Sequence, residues 1–382
     1  MKWKRGILIC LSIISACVIG EIYIRTYYPQ TTLARAKIFS FACFEEGKYR
    51  WVKLAANKTC PLRSLVGNFP DTTVITSSLG LRNPEIPIQK PADTTRILFV
   101  GDSMTMGWGV DEQKAYPRFV ESLIRERYLD KKVEAINAGF AASGPSGYYL
   151  YIKNYGMQLS PDIVVIGLTM GNDITARQDV EWVEKDTNGL PKVIRSKTTY
   201  VDHEGRLRRT NLPIKYRFPL LRDSHLFIFI INLLIPEDVH ASVEITKLNP
   251  NLCLYKPSCH DLDIAKAEVR AVLRGIRDIV EAHHAKLLVA LLPSDVSVNE
   301  YGWYTEGLPI PLTPSERRYP HTSFVASLAE DGIESIDLLP KFLENADTQL
   351  YFEKDDHFNS IGHELTAKAI TNKLSEYFTS RP

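Results

Sequence analysis

From Arg96 onward, short apolar runs alternate with stretches whose apolar positions recur every three or four residues. "RILFVG" (96–101), "VEAINAG" (133–139), "DIVVIGL" (162–168), "KLLVALLP" (286–293) and "GIESIDLLP" (332–340) read as strands, most of them apolar enough to be buried on both faces. Between and after them, "YPRFVESLIRERYL" (116–129), "IAKAEVRAVLRGIRDIVEAHH" (264–284) and "SIGHELTAKAITNKLSEYF" (360–378) have helical spacing. Strands alternating with helices predict an α/β three-layer sandwich with a parallel sheet of about five strands.

A different pattern opens the chain. Lys2, Lys4 and Arg5 precede an apolar or small-residue run from Gly6 to Gly20, extended by Ile22–Ile24, with Trp3 at one end and Tyr23, Tyr27 and Tyr28 at the other. About 20 such residues span a bilayer, and the basic cluster places the N-terminus inside. Residues 1–28 are therefore expected to form a membrane anchor, a single transmembrane helix. A cleaved signal sequence and a lipoprotein signal at Ile14-Ser15-Ala16-Cys17 are the alternatives. All three place the body outside the cytoplasm, periplasmic or on the outer face.

Residues 29–92 lack strong periodicity and end in the proline-rich "NPEIPIQKPAD", which suggests an arm or linker. The main domain is expected over 93–380, interrupted by an insertion at about 175–261. Within it, "TTYVDHEGRLRRTNL" suggests a hairpin turning at Glu204-Gly205. "SHLFIFIINLLIP" suggests a helix packed on the core, or else a lid or a membrane-facing surface.

Composition narrows the functional classes. The 382 residues are 45% hydrophobic and 24% charged, which excludes a disordered chain. With a net charge of +1 and no long basic run, there is no footprint for nucleic acid. Of six cysteines, Cys10 and Cys17 lie in the apolar run. The other four are expected to pair as Cys43–Cys60 and Cys253–Cys259, or to remain thiols. Neither pair has zinc-ligand spacing.

In open parallel sheets, ligands bind at the carboxyl ends of the strands. That rule selects Asp102-Ser103, the loop from Asn137 to Gly144, Gly171-Asn172-Asp173, and Asp355 with His357. A serine before a helix is often only its N-cap. Nucleophilic catalysis needs an activated hydroxyl, a base and a group orienting the base, with donors for the oxyanion. Ser103, His357 and Asp355 offer the first three. Backbone N–H groups and the Asn172 amide offer the donors. A Walker loop would need G-K-S or G-K-T, and an α/β-hydrolase elbow G-x-S-x-G; neither is present.

These residues resemble the SGNH hydrolases, the GDSL esterase/lipase superfamily. Gly101-Asp102-Ser103 with Thr105 and Gly107, "NAGFAASG", Gly171-Asn172-Asp173 and "DDHFNSIGH" stand in the family's order. The resemblance covers about Arg96 to Phe378 without the insertion. It implies that Ser103 attacks an ester carbonyl, that His357 takes the serine proton and that Asp355 holds the imidazole. It also implies that the Ser103 N–H, a second-loop N–H and Asn172 bind the oxyanion, and that no metal or organic cofactor is needed.

The chain departs from the family pattern twice. Many members place the Asp three residues before the His, where this chain has Lys354. Asp355 instead gives the D-x-H form seen in membrane-associated, polysaccharide-acetylating relatives, and Asp356 is expected to point elsewhere. In the second block the usual glycine aligns with Ala142, with Gly144 next beyond it, so either N–H is a candidate donor. His363 is expected to be structural or on the surface, and Asp355, Asp356, His357 and His363 have no common metal-ligand spacing. Trp108 is expected in the pocket wall or the core. His283 and His284 close a helix, where cations suit its dipole.

The expected function is a serine esterase acting on O-acyl or O-acetyl esters of cell-envelope glycans or lipids. An O-acyltransferase using the same acyl-serine, and an inactive glycan-binding module, are the alternatives.

Overall fold

The structure is a computed structural model that describes residues 2–28, 30, 42–50, 52–63, 69–175, 180–197, 199–209, 214–234, 254–255, 260–299, 312–353 and 355–379. The chain divides into two compact units. One comprises Met1–Ile38 with Arg209–Leu248, and the other comprises Phe39–Arg208 with Asn249–Pro382.

In the smaller unit, α1 (Lys2–Tyr27) is long and apolar enough over Trp3–Tyr27 to cross a membrane. The apolar stretch at 224–236 forms α5 (His225–Leu234). It packs against α1, with Leu226 beside Gly20. Cys10 and Cys17 are free and exposed on α1.

The larger unit is built on β1 (Thr94–Gly101), β2 (Lys132–Gly139), β3 (Ile163–Thr169), β4 (Lys286–Leu292) and β5 (Ser335–Asp337). They form one parallel sheet in the order β5-β4-β3-β1-β2. The sandwich fold expected from the pattern is present. Alternate strand residues feed separate cores. Ile97, Phe99, Ile163 and Val165 pack with α3 (Tyr116–Arg127) and α8 (Ser360–Thr379) on one face. Leu98, Val100, Val164 and Ile166 pack with α4 (Pro145–Asn154), α6 (His260–Ala282) and α7 (Pro314–Glu330) on the other.

From β1 the chain moves outward to β2 and then back across to β3. The strand order therefore reverses between β1 and β3, and a crevice opens at that switch point.

Gly101, Gly139 and Gly167 stand in register at the carboxyl ends of β1, β2 and β3. They leave a flat seat on which α2 (Ser103–Met106) rests. A Cβ on Gly101 would come within 2.0 Å of the Thr105 hydroxyl, and one on Gly139 within 2.2 Å of the Met106 nitrogen. Gly139→Ala is therefore expected to destabilise the fold by about 1–3 kcal/mol in urea unfolding, because the obstacle is backbone. An unchanged midpoint would show that α2 moves freely.

Segment 42–92 contributes buried groups to this unit. A disulfide joins Cys43 and Cys60, 17 residues apart, a loop size worth about 3 kcal/mol in chain entropy. Cys253 and Cys259 lie outside the described residues. The hairpin at 199–209 pairs Thr199–Val201 with Leu207–Arg209, and Gly205 at its turn has φ 78°.

Candidate active site

The turn after β1 is shaped by its own residues. Asp102, not Ser103, is the N-cap of α2, with its carboxylate accepting from Met104 N–H at 3.0 Å. Ser103 is thus the first helical residue, and its hydroxyl is free of the capping task. Gly107, at φ 85°, ends the helix, and its N–H and that of Trp108 both return to the Ser103 carbonyl at 3.0 Å. A one-turn helix leaves carbonyls without partners at its C-terminal end. The fully buried Arg82 donates to those of Met106, Gly107 and Val110. Burial pushes its guanidinium down to about 10, against the pull of Glu112 and Asp111. Beside it, the side-chain Oδ1 of Asn83 accepts from Asn137 N–H at 3.0 Å.

A bridge between Tyr351 and Phe358 closes a loop that carries Asp355, Asp356 and His357. The Tyr351 hydroxyl ties this loop to the Pro293 carbonyl after β4 at 2.9 Å. Phe358 N–H donates to the Met104 sulfur at 3.4 Å, joining the loop to α2. His357 Nε2 then lies 2.7 Å from Ser103 Oγ. Its Nδ1 lies 2.5 Å from an Asp355 oxygen, which also accepts from the His357 N–H at 2.9 Å. Residues separated by 254 positions thus form one hydrogen-bonded line.

The expectation that Asp356 points elsewhere does not hold: one of its oxygens lies 3.7 Å from His357 Nδ1. Asp355 is closer and takes the hydrogen bond. These three residues hold ligand-capable atoms within 4.8 Å of one another. The imidazole nitrogen on that side is already engaged by Asp355. Lys354 lies outside the described residues.

Electrostatics favour a charged imidazole. Burial opposes it, but the Asp355 hydrogen bond and the charges of Asp355, Asp356 and Asp102 raise His357 to about 9. Burial, with the charges of Asp355 and Asp102, lifts Asp356 to about 6 against the attraction of His357. A base must be neutral to accept a proton, so kcat/KM for an aryl ester is expected to rise from pH 7 to a plateau above about pH 9. A flat profile over that interval would contradict this arrangement. The same group contributes stability that is complete below its unfolded pKa of about 6.5 and is lost as pH rises through the folded value.

The candidate donors stand on the turns that follow β2 and β3. Asn172 Nδ2 donates to an Asp102 oxygen at 3.3 Å, which fixes the amide at the crevice and leaves its second N–H available. Asp102 also accepts from the Thr169 hydroxyl at 3.0 Å, and burial raises its carboxyl. Asp173, raised well above its ordinary range by burial and by Asp102, accepts from Tyr148 OH at 2.9 Å and from Thr169 N–H at 2.8 Å. It clamps the Thr169–Asn172 turn.

In the second loop, Ala142 holds φ 58°, the left-handed conformation that glycine adopts most easily. Gly144 is extended at φ −149° and leads into α4. Neither N–H has a protein acceptor among the described residues.

Trp108 is buried with its ring centroid 5.9 Å from that of His357. Phe69 packs on both Trp108 and Phe352, which completes an aromatic wall. His363 is fully buried. Its Nδ1 accepts from Tyr116 N–H at 3.3 Å, and burial, with the Arg82 and His357 charges, lowers it to about 3.

The GDSL-like lipase/acylhydrolase family matches residues 99–365. The chain belongs to this family. It is a carboxylic ester hydrolase by that membership. No curated protein matches it by sequence. Among solved structures, the acetylxylan esterase of Geobacillus stearothermophilus is similar at 14% identity and a TM-score of 0.40, with 73% of this chain and 94% of that one covered. A GDSL-like lipase from Bacteroides thetaiotaomicron is similar at 12% identity and a TM-score of 0.37, with 74% and 89% covered.

Arg82, Asn83, Phe69 and Phe352 are absent from the reading of the sequence. Only Arg82 left a usable signal, as an arginine within "SLGLRN" among apolar and small residues.

Proposed function

We propose that the enzyme hydrolyses O-acyl or O-acetyl esters through an acyl-serine formed on Ser103. The observation that carries this is the line from Ser103 Oγ through His357 to Asp355 at 2.7 and 2.5 Å. As Oγ bonds to the ester carbon, its proton passes to His357 Nε2 and the carbonyl electron pair moves to oxygen. Asp355 stabilises the imidazolium. The Ser103 N–H, the Ala142 N–H (or that of Gly144) and Asn172 Nδ2 receive the oxyanion. Collapse expels the alcohol, which takes the proton from Nε2, and water then repeats the sequence to release the acid.

Asn172→Ala is expected to lower kcat by about 100- to 1,000-fold with little change in KM, because the donor acts on the developing charge. Equal losses in binding and turnover would remove Asn172 from that role.

The body is proposed to lie outside the cytoplasm, held by α1, with acylated cell-envelope glycans or lipids as substrates. The Cys43–Cys60 disulfide supports an oxidising compartment. The test is mass analysis of products from an aryl acetate, with and without a glycan acceptor. Free acetate in both cases supports hydrolysis. Acetylated glycan would replace it with acyl transfer, and no turnover would favour a binding module.

A further inference from the structure

We propose that the segment carrying α5 enters the lipid bilayer beside α1, so that the smaller unit holds the membrane by two segments. This rests on the reading of α1 as a membrane span.

Glu21 is the only acidic residue between Trp3 and Tyr27. A carboxylate in an apolar span is costly unless it is paired. Here it accepts from Ser224 Oγ at 2.8 Å, Leu226 N–H at 2.8 Å, His225 N–H at 3.1 Å and Arg25 at 2.9 Å. The first N–H groups of α5 lack partners within their own helix. Glu21 and the start of α5 therefore satisfy each other's polar demands, which removes an obstacle to burying both in lipid. Gly20 permits the approach: a Cβ there would be 3.1 Å from Leu226 Cδ2. Small residues of this kind mark helix contacts in membranes.

The pairing also sets the depth. Gln30 N–H donates to His225 Nδ1 at 2.8 Å, and Asn232 Nδ2 donates to Gln30 Oε1 at 3.2 Å. α5 thus runs alongside the last turns of α1, from the level of Glu21 to that of Gln30. At 1.5 Å per residue, Glu21 lies about 9 Å inside the end of the span at Tyr27. The turn before α5 lies at that depth or deeper.

This turn and helix show apolar side chains outward. Leu220 is 97% exposed, and Phe218, Leu221, Ile230, Leu233 and Leu234 are exposed with it. Arg217 and Arg222, with the exposed Asp223, flank the turn, and the two long cationic side chains can carry their charges to the headgroups. Tyr28 packs on Phe229 at 6.4 Å, and Tyr23 lies 6.1 Å from Tyr28, as interfacial aromatics do. Continuity with the candidate span identifies the occupant of this surface as lipid.

The test uses the full chain in lipid nanodiscs, in a background whose unpaired cysteines are serine. Nitroxide labels are placed singly at Leu220→Cys and Leu233→Cys. Ile13→Cys in α1 and the exposed Leu129→Cys in the other unit serve as references. Collision rates with oxygen and with a water-soluble nickel chelate are compared. An oxygen-to-nickel ratio about tenfold above that at Leu129 is expected at Leu220, for insertion of 5–10 Å, with a smaller rise at Leu233 near the level of Gln30. A ratio equal to that at Leu129, with Ile13 still in hydrocarbon, overturns the proposal and leaves the anchor standing. If Ile13 also reports water, both fall. Spin–spin broadening that grows with the number of copies per disc would assign the surface to a second copy and overturn the lipid reading.

Discussion

Ser103→Ala is expected to lower kcat for an aryl acetate by about 10⁶-fold, leaving only the acceleration that the oxyanion donors and binding provide. The loss is large because this hydroxyl is the atom facing His357 Nε2. The fold should survive it. Asp102 caps α2, and the Ser103 backbone, which alanine keeps, supplies the carbonyl that closes the turn. A thermal melt beside the kinetics separates the two effects. An unchanged melting temperature with turnover lost is the expected pair. Retention of turnover within tenfold of wild type would remove Ser103 from the chemistry.

Asp355→Asn is expected to lower kcat by about 10⁴-fold, because a neutral amide neither fixes the imidazole tautomer nor stabilises the imidazolium. Asp356→Asn offers the contrast. Asp356 lies 3.7 Å from Nδ1, while Asp355 lies at 2.5 Å. Its removal takes away one of the charges that raise His357, so the rising limb of the pH profile should move to lower pH while maximal turnover stays within about tenfold. Should Asp356→Asn prove the more damaging of the two, the orienting role would belong to Asp356.

The sheet was legible because its strands are buried on both faces. Runs such as "RILFVG" and "DIVVIGL" then need no alternation to be seen, and the glycine ending the first marks where the chain must turn. The distant placement of Ser103, Asn172 and His357 followed from topology, since strands of a parallel sheet deliver their loops to one edge. What supports them was hidden. Arg82 works through three backbone carbonyls, and carbonyls carry no sequence signature. Phe69 and Phe352 meet across 283 positions through packing alone. Asp356 was expected to point elsewhere, whereas this loop brings both carboxylates within 3.7 Å of one imidazole nitrogen. The apolar stretch at 224–236 was legible as a helix. Its partner was not, since nothing local shows that Glu21, some 200 residues earlier, receives its first N–H groups.

The most direct measurement is to label the wild-type chain with a fluorophosphonate and locate the adduct by peptide mass spectrometry. A nucleophile activated by His357 should give one phosphonylated site, on the peptide containing Ser103, formed faster at pH 9 than at pH 7. An adduct on another residue, or none from a folded chain, would contradict the assignment of Ser103 as the nucleophile.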